Sequence, residues 1–167
     1  SAASDVYKRQ VKGRLQFLSN NDKIAIIDYA HTPDALENVI SSIKKINSDK
    51  NSLITVVGCG GDRDKSKRAI MGNIASSLST KVVFTSDNPR SENPSQIIDD
   101  IMDGVSSENL EKVTRIIDRR EAIEMALRIA KKNDIVLVAG KGHESYQEIN
   151  GIKNNFDDFE VIKSIIS

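Results

Sequence analysis

Aspartate, asparagine, histidine, arginine, lysine and glutamate collect in four short clusters, each directly after an apolar run. YAHTPD follows IAIID at residues 24–34, CGGDRD follows LITVVG at 53–64, DNPR follows KVVFTS at 81–90, and KGHES follows DIVLVAG at 134–145. DNPR places a carboxylate, a carboxamide and a guanidinium in four residues, with Pro89 fixing the turn. Arg90 could hold a carboxylate bidentately while Asp87 or Asn88 reads an amine; the plainer alternative is an Asx-type turn with an exposed arginine. Asp62-Arg63-Asp64 precedes a helical pattern whose first turn carries Lys65, Lys67 and Arg68. Backbone N–H groups at that helix start, with Arg63, could bind an anion, or the cations could form a solvated helix start. Both histidines of the chain, His31 and His143, fall inside these clusters.

The elements that must position these groups alternate in type. Apolar runs at 24–28, 53–57, 81–86 and 134–139 read as strands, with a short one near 113–117. Helices are expected from Thr32-Pro33, near 65–79, from Asn93-Pro94 with Gln96 placed for a capping box, at 119–132, and from about 157. Leu36, Val39, Ile40 and Ile43 recur at helical spacing, as do Ile97, Ile98 and Ile101. YQEINGIKNNF carries Asn150-Gly151, a type I′ hairpin signal. Strands alternating with helices of this length predict an α/β, Rossmann-like fold: a mainly parallel sheet with flanking helices and an antiparallel edge contributed by the hairpin near the C-terminus. In such a sheet ligands bind beyond the carboxyl ends of the strands, so the four clusters describe one composite site.

Composition narrows the partners. At 167 residues, 38% hydrophobic and 29% charged, the chain fits one ordinary globular domain. Zero formal net charge and few aromatics (three Tyr, four Phe, no Trp) argue against a nucleic-acid groove or an anionic membrane surface. One cysteine rules out an internal disulfide and suits a reducing cytoplasm. Cys59 lies between glycines and has no base paired with it in sequence, so a small buried side chain is expected there. GCGGDR has Arg63 where a dinucleotide fingerprint needs its third glycine, and AGKGHE lacks the spacing of a phosphate loop. No Cys/His/Asp spacing forms a zinc site, and no nucleophile elbow is present. Residues 1–10 lack the apolar core of a secretory signal. Asp5 to Gln10 reads like the translation of a sequencing-library adapter, so 1–10 is expected to be non-native and 11–167 to be the domain.

Taken together, the clusters resemble the C-terminal domain of the Mur ligases. Gly13-Arg14-Leu15, DYAHTPDAL at 28–36, GCGGDRDKSKR at 58–68, SDNPRSENP at 86–94, DRREAI at 118–123, AGKGHESYQ at 139–147 and FDD at 156–158 carry the likeness, in unbroken order from residue 13 to about 163. DNPR with GKGHE is the most specific part. Within that family DNPR goes with meso-diaminopimelate rather than L-lysine, and an arginine suits the second carboxylate of that amino acid.

The resemblance implies that Arg63, Asn88 and Arg90 bind carboxylates of the incoming amino acid. Asp87, Gly140 and Glu144 would complete that pocket, Glu144 favouring the ammonium group. Arg14 would face the ATP phosphates and Asp28 the ribose, with His31 beside them. The implied reaction is ATP-dependent amide formation in peptidoglycan synthesis: the D-glutamyl carboxylate of UDP-N-acetylmuramoyl dipeptide is phosphorylated and the amine of diaminopimelate attacks. The phosphate loop and Mg2+ ligands belong to a preceding central domain, so this segment is expected to bind the amino acid and cap ATP, without catalytic or metal-ligating residues of its own and without turnover alone. Its partners would be its own N-terminal and central domains, with no nucleic acid and no membrane. Gln16 and Phe159 depart from the family's usual acidic and charged residues. A folylpolyglutamate synthase-like domain should lack DNPR and GKGHE in this arrangement; a non-catalytic Rossmann-like binding module is the other reading.

Overall fold

The middle strands of the sheet are buried along their whole length, which is why they read as unbroken apolar runs. A computed structural model describes residues 11–47 and 49–167; the adapter-like segment at 1–10 lies outside the described residues. Strands β1 (Gln16–Ser19), β2 (Ile24–Asp28), β3 (Leu53–Val57), β4 (Lys81–Phe84), β5 (Val113–Arg115) and β6 (Ile135–Ala139) form one six-stranded sheet in the order β1-β2-β6-β3-β4-β5. Every pair is parallel except β1 with β2. Helices α1 (Pro33–Ile46), α2 (Ser66–Leu78) and α3 (Pro94–Met102) cover one face, and α4 (Arg119–Ile129) and α5 (Asp158–Ile166) the other. The strand alternation divides the core between the two faces: Ile26, Val57 and Leu137 pack with α1 to α3, while Ile27, Val56 and Val138 pack with α4 and α5.

Local chemistry sets the helix ends. Thr32 Oγ1 accepts from Ala35 N and Pro33 opens α1; Asn93 Oδ1 accepts from Ser95 N and Pro94 opens α3. Gln96 does not close a capping box, because its amide donates forward to Asp100 instead. Helix α4 stops at Ile129, short of the expected 132: Ala130 turns extended, Asn133 adopts φ +70°, and Asp134 accepts from Lys131 N and Ser52 N, steering the chain into β6.

The antiparallel edge comes from β1, which the sequence pattern did not reveal. The hairpin forms as a separate two-stranded sheet, β7 (Tyr146–Ile149) with β8 (Ile152–Asn155), and does not extend the main sheet. Asn150 (φ +50°) and Gly151 (φ +77°) are both left-handed, as a type I′ turn requires.

Candidate functional site

Because β2, β3, β4 and β6 run parallel, their polar carboxyl-end loops converge. They enclose a cleft of about 760 Å³ whose lining includes all six residues expected on the amino-acid side: Arg63, Asp87, Asn88, Arg90, Gly140 and Glu144. A second cleft of about 490 Å³ is lined by Arg14, Asp28 and His31, the three residues expected on the ATP side. Tyr29 and His31 border both.

Arg90 is no exposed turn arginine. Its side chain is 18% exposed, and its backbone is left-handed at φ +52°, a conformation that costs energy for a non-glycine residue and persists only where its surroundings impose it. Strand β7 and its turn impose it here: Arg90 N donates to Glu148 O (2.9 Å), and Asn150 N donates to Arg90 O (2.8 Å). The guanidinium meets the Glu148 carboxylate through Nε at 3.3 Å and donates from Nη1 to Gly61 O at 2.9 Å. Arg63 stands beside it: a Cβ on Gly60 would lie 3.0 Å from Arg90 Nη1 and 3.6 Å from Arg63 Cγ, so both cations share that wall.

The same cleft is lined by the carboxylates of Asp87, which is buried, and Glu144, whose side chain is as exposed as that of Arg90. Asn88 is buried, and its amide is a junction: Oδ1 accepts from Lys141 Nζ (2.8 Å) and Glu148 N (2.9 Å), while Nδ2 donates to Glu144 (3.2 Å). It therefore orients its neighbours as much as it could read a ligand. Lys141, passed over in sequence as part of a failed phosphate loop, is fully buried, 3.9 Å from Glu144 and 5.5 Å from the centre of the Tyr146 ring. Burial lowers its ammonium pKa, against the pull of the Asp87 carboxylate. Burial pushes the Asp87 carboxyl up, opposed by the charges of Arg119 and Lys141. Gly140 lets Asp87 sit this close: it is left-handed at φ +112°, and a Cβ there would come within 2.7 Å of Asp87 Oδ2.

Behind the cleft lies a buried strut. Arg119 pairs bidentately with Asp158 (2.8 Å twice) and donates to Ser86 O (3.1 Å) and Ala139 O (3.2 Å), the carbonyls just before Asp87 and Gly140. One guanidinium thus ties the ends of β4 and β6 to α5.

The basic run at 63–68 divides rather than forming one anion site. Arg68 turns inward to Glu92, Asp100 and Gly60 O, and Lys65 follows to Glu92 at 3.4 Å. Asp64 occupies the helix start by accepting from Ser66 N and Oγ. Only Arg63 and Lys67 of these cations line the cleft. The Cys59 thiol is pushed up to about 12 by burial and by Asp87, which leaves it unfit as a nucleophile.

On the second cleft, Asp28 accepts from Leu15 N (2.9 Å) and Ala30 N (2.8 Å). His31 Nδ1 bonds Tyr29 O at 2.8 Å, which places the proton on that nitrogen. The Tyr29 ring lies 4.6 Å from His31 and 5.9 Å from His143. Among the described residues no group of three or more His, Cys, Asp or Glu side chains could hold a metal ion, and no helix is long and apolar enough to cross a membrane.

Residues 13–142 match the sequence profile of the Mur ligase, glutamate ligase domain. The UDP-N-acetylmuramoyl-L-alanyl-D-glutamate–2,6-diaminopimelate ligase of Phocaeicola vulgatus is 52% identical over 160 residues, covering 95% of this chain and 33% of that protein. A solved structure of a ligase of the same name superposes with a TM-score of 0.86 at 44% identity, over 93% of this chain and 31% of that one. A bifunctional folylpolyglutamate synthase/dihydrofolate synthase from Yersinia pestis, 23% identical with a TM-score of 0.58 over 78% of this chain and 28% of that one, shares the fold. The chain spans about a third of the length of the curated relatives it matches. On this match the chain belongs to the Mur ligase family, in its glutamate ligase domain.

Proposed function

We propose that the chain is the amino-acid-binding, ATP-capping part of an ATP-dependent ligase that joins meso-diaminopimelate to UDP-N-acetylmuramoyl-L-alanyl-D-glutamate in the cytoplasm. The observation that carries this reading is that two cations, Arg63 and Arg90, and two carboxylates, Asp87 and Glu144, line one cleft. Such a cleft suits a ligand with an ammonium and more than one carboxylate. Arg90 and Arg63 would bind carboxylates, Glu144 with Asp87 would hold the ammonium end, and Asn88 with Gly140 would keep those acids in place. Fixing the amino acid this way would direct its free amine at an acyl phosphate formed from the D-glutamyl carboxylate, so that orientation and charge neutralisation supply the rate. Arg14, Asp28 and His31 would meet ATP on the adjoining cleft. Mg2+ would be held by a central domain outside this segment, as the resemblance to the Mur ligases implies.

A folylpolyglutamate synthase reading has only the shared fold behind it. The names of the relatives at about half identity favour the diaminopimelate ligase. The test is turnover in the full-length ligase. Arg90→Ala should raise the KM for diaminopimelate roughly tenfold to a hundredfold, the worth of a charged hydrogen-bond pair, with the KM for ATP unchanged. An unchanged diaminopimelate KM, or turnover by the 167-residue chain alone, would contradict the proposal.

A further inference from the structure

The β7–β8 hairpin stands apart from the main sheet, and every residue of β8 is exposed. It is nevertheless stitched to one segment, residues 87–90. Gln147 Nε2 donates to Asp87 O (2.8 Å), Glu148 N to Asn88 Oδ1 (2.9 Å), Arg90 N to Glu148 O (2.9 Å) and Asn150 N to Arg90 O (2.8 Å). The Glu148 carboxylate adds the only side-chain ion pair of Arg90 among the described residues, at Nε. Together with Gly61 O it engages Nε and one N–H of Nη1. A guanidinium has five N–H donors in a rigid plane. The two on Nη2 and the second on Nη1 keep no protein partner among the described residues, which is enough for a two-pronged carboxylate contact.

We infer that Glu148 is a positioning residue for specificity: by gripping Nε it fixes the plane of Arg90 and the edge offered to a ligand carboxylate. The ligand half of this inference rests on the amino-acid reading of the cleft. The clamp itself does not, so the two can fail separately.

The test is NMR on the isotope-labelled chain with Glu148→Ala and Glu148→Gln. Without ligand, the Arg90 Nε–H should exchange slowly in the wild type and in Glu148→Gln, which keeps an acceptor, and quickly in Glu148→Ala. Equally fast exchange in the wild type and Glu148→Ala overturns the clamp, whatever the cleft binds. Glu148→Ala should then weaken meso-diaminopimelate binding roughly tenfold, between the few-fold effect of losing a partly exposed ion pair and the hundredfold of a displaced contact group. The thermal midpoint should stay put, and Glu148→Gln should recover most of the affinity. Unchanged or tighter binding by Glu148→Ala, or a parallel drop in thermal midpoint and affinity, overturns the positioning role. A wild type with a slow Nε–H that ignores diaminopimelate overturns the amino-acid reading and leaves the clamp standing.

Discussion

Arg90 and Arg14 each stand at the rim of a strand-end cleft, yet the chain treats them differently. Arg90 is held by two backbone hydrogen bonds, an ion pair and a carbonyl. Arg14 is exposed, and among the described residues it is held through its backbone N–H, which donates to Val11 O at 3.1 Å. The same contrast runs through their neighbours. Asp87, Asn88 and Lys141 are buried, with Lys141 donating to Asn88, whereas His31 is exposed beside Tyr29. One cleft is organised before any ligand arrives, which lowers the ordering cost of binding; the other presents half a surface. A domain that selects an amino acid and then closes over a nucleotide held elsewhere would be built in this way.

The strut behind the organised cleft offers the sharpest way to break the contrast. Asp158→Ala would strand the buried Arg119 charge and should cost about 3–5 kcal/mol of stability, read as a lower denaturant midpoint. A cost under about 1 kcal/mol would show that the strand ends hold without it.

The outer brace gives a smaller, pH-dependent effect. Hydrogen bonds from Arg68, helped by the Asp62 N–H and by Lys65, outweigh partial desolvation and hold the Glu92 carboxyl down to about 2 from its ordinary 4.5. A depressed carboxyl pKa contributes stability that is full above the unfolded value and fades as pH falls through the folded one. The stability gap between wild type and Glu92→Gln should therefore be constant above about pH 4.5 and close toward about pH 2. A gap that persists in acid would mean the brace works by shape rather than charge.

The smallest effect belongs to the other cleft. Arg14→Ala should shift stability by no more than about 0.5 kcal/mol and leave diaminopimelate binding alone. It should weaken ATP binding only in the full-length ligase.

Much of this was legible in the sequence because buried parallel strands and capped helices leave strong local signals: the runs at 53–57 and 134–139, Thr32-Pro33, Asn93-Pro94 and Asn150-Gly151 all sit where expected. The four polar clusters could be gathered into one site because parallel strands share an end. What stayed hidden depends on distance in sequence. Strand β1 is four residues long and is defined by pairing with β2. Arg119 and Asp158 are 39 residues apart, and nothing in DRREAI or FDD announces their pairing. Arg68 left a signal that could have been used: it shares a helical face with Met71, Gly72 and Ala75, all buried, so its inward turn follows from spacing. Lys141 meets Asn88, and Glu148, in β7, meets Arg90, each across more than fifty residues of chain, contacts that no periodicity encodes.

The claim that the organised cleft selects a dicarboxylic amino acid is tested most directly by an amide NMR titration of the chain. Meso-diaminopimelate is added to one sample and L-lysine to another, with Arg90→Ala as control. Shifts at Arg63, Asn88, Arg90 and Glu144 with diaminopimelate only, absent in the variant, are the predicted result. An equal response to lysine, or a response that survives Arg90→Ala, would contradict it.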